Sequence, residues 1–133
     1  ILETHGAGFV GPDDLEPVAT AADVAAAADA ITTVHVAPAL RAYIVDLVDE
    51  TRRDPELALG VSPRGALALQ RGARAMAAGA GRDYVIPDDV KTLAAAVLTH
   101  RMIVTPEAEL RGVSSEDVLD RIVTRLPVPG ASG

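Results

Sequence analysis

The chain has 133 residues and a formal net charge of −7, so it is one domain's worth of polypeptide without the basic excess that a binder of nucleic-acid backbone needs. Apolar residues make up 49% of it, yet alanine dominates and only Phe9, Tyr43 and Tyr84 are aromatic, which predicts a thin core of helices packed through small residues. Cysteine is absent, which excludes a disulfide framework and a thiolate metal site; with no signal peptide and no apolar run near the roughly 20 residues of a membrane span, a cytoplasmic protein without membrane insertion is expected.

Residues 1–19 read as a helix remnant, Ile1-Leu2-Glu3, followed by a Gly/Pro-rich linker from Gly6 to Pro17. The chain opens mid-pattern at Ile1 without a methionine, as a piece cut from something longer would. Thr20 and Asp23 then form a capping-box start, and Val24, Ala27, Ala28, Ile31 and Val34 recur at helical spacing as the core stripe of a first helix. Beyond Pro38, Leu40, Ile44, Leu47 and Val48 mark a second helix, which Pro55 ends.

The third helix is predicted from Pro63 to about Ala78, stopped by Gly79 and Gly81, with Leu67, Leu69, Ala73 and Met76 apolar. Ala66, Ala68, Gly72, Ala75 and Ala77 allow another helix to approach it closely. Pro87 opens a fourth helix, with Asp88 and Asp89 as a solvated acidic first turn and His100 and Arg101 as cations at its C-terminal end. The stretch 103–110 is expected as a short extended segment or a loop, since Pro106 disfavours a central strand. Ser114 and Asp117 cap a last helix whose face is Val118, Leu119, Ile122 and Leu126, and 127–133 is an extended tail. The fold expected is therefore all-α, a small bundle of four to five helices over residues 20–126.

Little chemistry is written into these elements. His5, His35 and His100 lie on different elements with no partner at ligand spacing, so no metal site is expected. A nucleophile elbow, an HExxH pair and a Walker A loop are all missing, so no catalytic residue is assigned to the chain. The exception is Gly60-Val61-Ser62-Pro63-Arg64-Gly65. Ser62 reads as the N-cap and Pro63 as the first helical residue, which seats Arg64, expected to be buried, at the second helical position. A cation there opposes the helix dipole by about 0.3–1 kcal/mol. Two readings fit: an anion, phosphate foremost, uses the guanidinium with the free N–H groups of the first turn, or Arg64 packs its stem on a neighbour and pairs with a carboxylate.

Taken in order, the Gly60–Gly65 run, Leu67-Ala68-Leu69, Ala73-Arg74-Ala75, Gly81-Arg82-Asp83-Tyr84-Val85, Pro87-Asp88-Asp89-Val90 and His100-Arg101 resemble the C-terminal lid of MoxR-family AAA+ ATPases. Tyr43 to Val48 with Thr51-Arg52 resembles the same lid, so the likeness runs strongly from Ala21 to Arg101 and more loosely from Ile103 to Pro129. The resemblance implies a lid closing over ATP and Mg2+ held by a preceding core, of which residues 1–19 would be the linker remnant. Arg64 matches the sensor-2 arginine that reaches the ATP phosphates, with Ser62 and Pro63 supporting the helix start, while Arg74 and Arg101 are weaker candidates for lid–core or subunit contacts. It also implies hexameric rings, chaperone-like remodelling, and partners comprising the protein's own core, neighbouring subunits and von Willebrand factor A domain proteins, with the chain alone binding no cofactor. Two departures bear on local stability: Gly65 stands where the family commonly has alanine, at about 1 kcal/mol of helix propensity, and Ile86 is a poor N-cap. The rival reading is a free-standing helical adaptor that binds a partner helix and never meets ATP.

Overall fold

A computed structural model describes residues 15–129. Expectations for Ile1–Glu3, most of the linker and the end of the tail lie outside the described residues. Within them the chain forms α1 (Ala21–Thr32), α2 (Pro38–Arg53), β1 (Leu57–Leu59), α3 (Pro63–Gly79), α4 (Pro87–Leu98) continued by a 3-10 turn (Thr99–Arg101), β2 (Ile103–Val104), α5 (Pro106–Leu110) and α6 (Ser115–Arg125). The expected all-α bundle is present, with one short helix and one minimal sheet added.

Local chemistry sets the helix ends. Thr20 and Asp23 make the capping box of α1, the Thr20 hydroxyl accepting the Asp23 N–H at 3.1 Å and Asp23 Oδ2 accepting the Thr20 N–H at 2.8 Å; Ser114 and Asp117 repeat it on α6. Helix α3 closes in a Schellman motif, with Gly81 at φ +73°, its N–H donating to Ala78 O at 2.9 Å and Arg82 N–H to Ala77 O at 2.9 Å. Pro106 does rule out a central strand, but it does so by opening α5, where the Thr105 hydroxyl accepts the Ala108 N–H. Ahead of it, β2 pairs antiparallel with β1, Leu57 opposite Val104 and Leu59 opposite Ile103, with an irregularity between the two pairs.

The core lies between α2, α3, α4 and α6. Leu40, Ile44 and Leu47 from α2, Leu69, Ala73 and Ala77 from α3, Val90, Ala94 and Leu98 from α4, and Val118, Leu119 and Ile122 from α6 are buried in one cluster. Helices α3 and α4 pack most extensively, and a Cβ at Gly72 would come within 3.3 Å of Leu93 Cδ1, which is the close approach its small residues foretold. A backbone bridge ties the two connections at one end: His35 N–H donates to Asp83 O at 2.7 Å, and Val85 N–H to His35 O at 2.9 Å.

Helix α1 departs from expectation. Of the stripe predicted as its core face, only Val34, just past the helix end, reaches the core; no residue of α1 itself is buried, Ile31 is half-buried and Val24 is 63% exposed. The helix leans mainly on α3, so its periodicity records an apolar face largely without a cover within these residues.

Candidate functional site

Helix α2 holds the start of α3 in place. The Thr51 side chain, fully buried near the end of α2, donates to Val48 O at 2.6 Å and accepts the Val61 N–H at 2.9 Å. One residue earlier, a Cβ built on Gly60 would lie 2.6 Å from Thr51 O and 2.7 Å from Arg52 Cα, so backbone meets backbone there and only glycine fits. Val61 is buried behind this contact at 0% exposure. The chain then turns outward: Ser62 takes the extended N-cap conformation, Pro63 is the first helical residue, and Ser62 O accepts the Gly65 N–H at 2.8 Å.

The Ser62 hydroxyl makes no capping bond, so among the described residues no side chain caps the N-terminal end of α3. Arg64 follows at that open end. It is exposed rather than buried, because the turn buries Val61 and Gly65 and directs the three residues between them to solvent. It forms no ion pair or side-chain hydrogen bond among the described residues, so the carboxylate partner of the alternative reading is not found there.

Arg101 comes to the same end. Its Nε donates to Val97 O at 2.9 Å, closing the C-terminus of α4, and its Cδ lies 3.7 Å from where a Cβ on Gly65 would stand. Of the two cations expected at this helix end, His100 and Arg101, it is Arg101 that bonds to a helix carbonyl. Arg74, ten residues along α3 from Arg64 and about 15 Å up the axis, is elsewhere. It is half-buried against α1 beside Arg71.

Sequence reasoning missed a second ion-pair device. Asp89, read as part of a solvated first turn, is only 4% exposed and takes a bidentate grip from Arg82, with Nη1–Oδ2 at 2.8 Å and Nη2–Oδ1 at 2.6 Å; Asp88 is the exposed one. Arg82 also donates to Tyr84 O at 3.0 Å, and Asp89 Oδ2 accepts the Ile86 N–H at 2.9 Å. Asp89 thereby satisfies the N–H of Ile86, the half of a capping box that asks nothing of the Ile86 side chain. The Arg82 guanidinium holds the Asp89 carboxyl below its ordinary pKa against the opposing effect of burial. Only the spacing of an arginine seven residues before the aspartate could have pointed to the pair.

The cleft beside α6 does not compete for a phosphate. This cleft, about 740 Å3 between the α2–β1 turn, α5 and α6, has its cations paired: Glu56 accepts from Arg111 at 2.6 Å and from Arg121, and Arg125 pairs with Glu50. Among the described residues no group of three His, Asp or Glu could hold a metal ion, and no helix is long and apolar enough to cross a membrane.

Comparison with known proteins agrees with the architecture. Residues 49–122 match the family model of the AAA lid domain. The chain is 40% identical over 117 residues to YeaC of Bacillus subtilis, a protein of uncharacterised function, covering 88% of this chain and 37% of YeaC. It is 37% identical over 100 residues to the chaperone MoxR1 of Mycobacterium tuberculosis, covering 68% of this chain and 26% of MoxR1. A crystal structure from Cytophaga hutchinsonii, provisionally described as an ATPase, superposes with a TM-score of 0.71 at 33% identity, over 75% of this chain and 33% of that one. The chain thus spans between a quarter and two-fifths of the length of these relatives. With the family model covering more than half of its residues and the helical order matching, the chain belongs to the AAA lid domain family, as a lid of the MoxR type of AAA+ ATPase.

Proposed function

We propose that the chain closes over ATP held by a preceding ATPase core and that Arg64 is its phosphate-facing, sensor-2 residue. The observation that carries this is the open start of α3: an exposed guanidinium without a carboxylate partner among the described residues, at a helix N-terminus that no side chain caps. A free first turn and a cation together favour a polyanion, and either would be ill-placed without one. The buried Thr51–Val61 bond and the glycine contact at Gly60 support the same reading, because they hold that start in a fixed position, as electrostatic stabilisation of a transferring phosphoryl group requires.

When bound, ATP with Mg2+ supplies the phosphoryl chemistry on the core. The part of this chain is to present Arg64, with Arg101 as a second cation beside it, and to move as a lid whose angle follows nucleotide state. The greater length of the relatives, and the name chaperone borne by MoxR1, favour this role over a free-standing adaptor. On the same proposal the intact protein is a cytoplasmic ATPase that works through neighbouring subunits in a ring, remodels protein partners, and engages von Willebrand factor A domain proteins.

The test is steady-state ATP turnover of the intact protein, wild type beside Arg64→Ala, with this chain alone as a control. Loss of one preorganised donor to the transition state predicts a fall of roughly 10²–10³-fold with the fold retained, and no turnover by the chain alone. Unchanged turnover in Arg64→Ala would return the residue to an ordinary surface cation.

A further inference from the structure

Between α1 and α3 lies a cleft of about 450 Å3, within the range of ligand pockets, lined by Ala28, Ile31, Thr32, Arg71, Arg74 and Ala75. Arg71 and Arg74 stand one turn apart on α3 and neither has a carboxylate within 4.0 Å among the described residues, although the chain carries 19 acidic residues and six of its arginines are paired. Arg74 Nε is buried with no hydrogen-bond partner. A buried donor left unmade costs free energy that a native arrangement recovers from an acceptor. Meanwhile α1 buries no residue of its own, and a helix of 12 residues is marginal without tertiary cover.

We propose that this cleft is the docking site for an aspartate or glutamate side chain carried on an apolar segment of a partner protein. The two guanidiniums receive the carboxylate, the Arg74 side chain turning so that its enclosed Nε meets one oxygen, while Ala28, Ile31 and the exposed Val24 of α1 cover the apolar residues that flank it. Charge complementarity selects the occupant, since an acidic chain has left this pair of cations uncompensated. A carboxylate fits better than a phosphate: the apolar walls leave extra oxygens without donors, and the negative end of the α1 dipole at Thr32 opposes a second charge. The site does not depend on the role of Arg64.

The experiment is photo-crosslinking in the intact protein, with p-benzoylphenylalanine in place of Thr32 and the crosslinked peptide read by mass spectrometry. The expected product is a partner segment with Asp or Glu among apolar residues. Arg71→Met with Arg74→Met, which keeps the apolar stems, should lower its yield about tenfold, as loss of about 1.4 kcal/mol does. Exchanging charges, with Arg74→Glu on this side and the captured acidic residue changed to arginine, should restore it, and Arg64→Ala should leave it unchanged. A segment without an acidic residue, a phosphorylated residue at the contact, or a yield indifferent to the paired substitution would overturn the assignment.

Discussion

A single methyl group added at Gly65 should destabilise the chain even though it improves helix propensity. The new Cβ would stand 2.2 Å from Val61 Cγ1, more than about 1 Å inside the roughly 3.5 Å at which carbon atoms rest. Val61 cannot easily give way, because it is buried, β-branched, and tied by its N–H to Thr51. Propensity favours alanine by up to about 1 kcal/mol, whereas overpacking a core costs about 1–3 kcal/mol, so Gly65→Ala is expected to lose about 1–2 kcal/mol. The reverse substitution, Val61→Ala, deletes two buried methyl groups and should cost about 2 kcal/mol. Combined, the added methyl enters the vacated space, and the double variant should be more stable than the sum of the singles by about 1–2 kcal/mol. Urea denaturation followed by far-ultraviolet circular dichroism, compared at equal m-values, measures all four corners of the cycle. Additivity within about 0.5 kcal/mol, or a Gly65→Ala variant more stable than wild type, would refute the packing argument.

The remaining expectations concern the two polar devices. Arg82→Met leaves the Asp89 carboxylate buried and unpaired, and should destabilise by about 3 kcal/mol, the low end for a broken buried pair because Arg82 is partly exposed; thermal melts read this directly. Since the folded-state pKa of Asp89 lies below its unfolded value, the pair stabilises the fold in full above about pH 5, and that contribution should fade as the pH drops through about 4 and below; in Arg82→Met the acid limb of stability against pH should flatten. Thr51→Val keeps the shape but removes the acceptor for the buried Val61 N–H. A loss of about 1–3 kcal/mol is expected, and faster hydrogen exchange at Val61 would show where it arises.

Legibility in the sequence followed the range of the interaction. Helix ends were readable because their causes are local: Thr20 with Asp23, Ser114 with Asp117, Pro63, Pro87 and the left-handed Gly81 each act within a few residues. The place of Arg64 at the head of α3 was readable for the same reason, but its exposure was not, since that depends on how the Gly60–Val61 turn seats against α2. Strands β1 and β2 are too short for an alternating pattern and find each other across more than forty residues. The Arg82–Asp89 pair was hidden behind a familiar acidic helix start. For α1, spacing revealed an apolar face but could not tell what lies against it.

The Thr51 hydroxyl also governs stiffness. Because it bridges the end of α2 to the residue just before the α3 cap, while Gly60 lies backbone-to-backbone on α2, a pull on Arg64 has no flexible loop to stretch. The displacement passes into α2, a rod of 16 residues and about 24 Å, so that a tilt of 10° about the α3 end sweeps the far end, near Pro38, through about 4 Å. In the role proposed for Arg64, a small chemical event at one guanidinium would thus be geared up into a movement of the opposite end of the bundle.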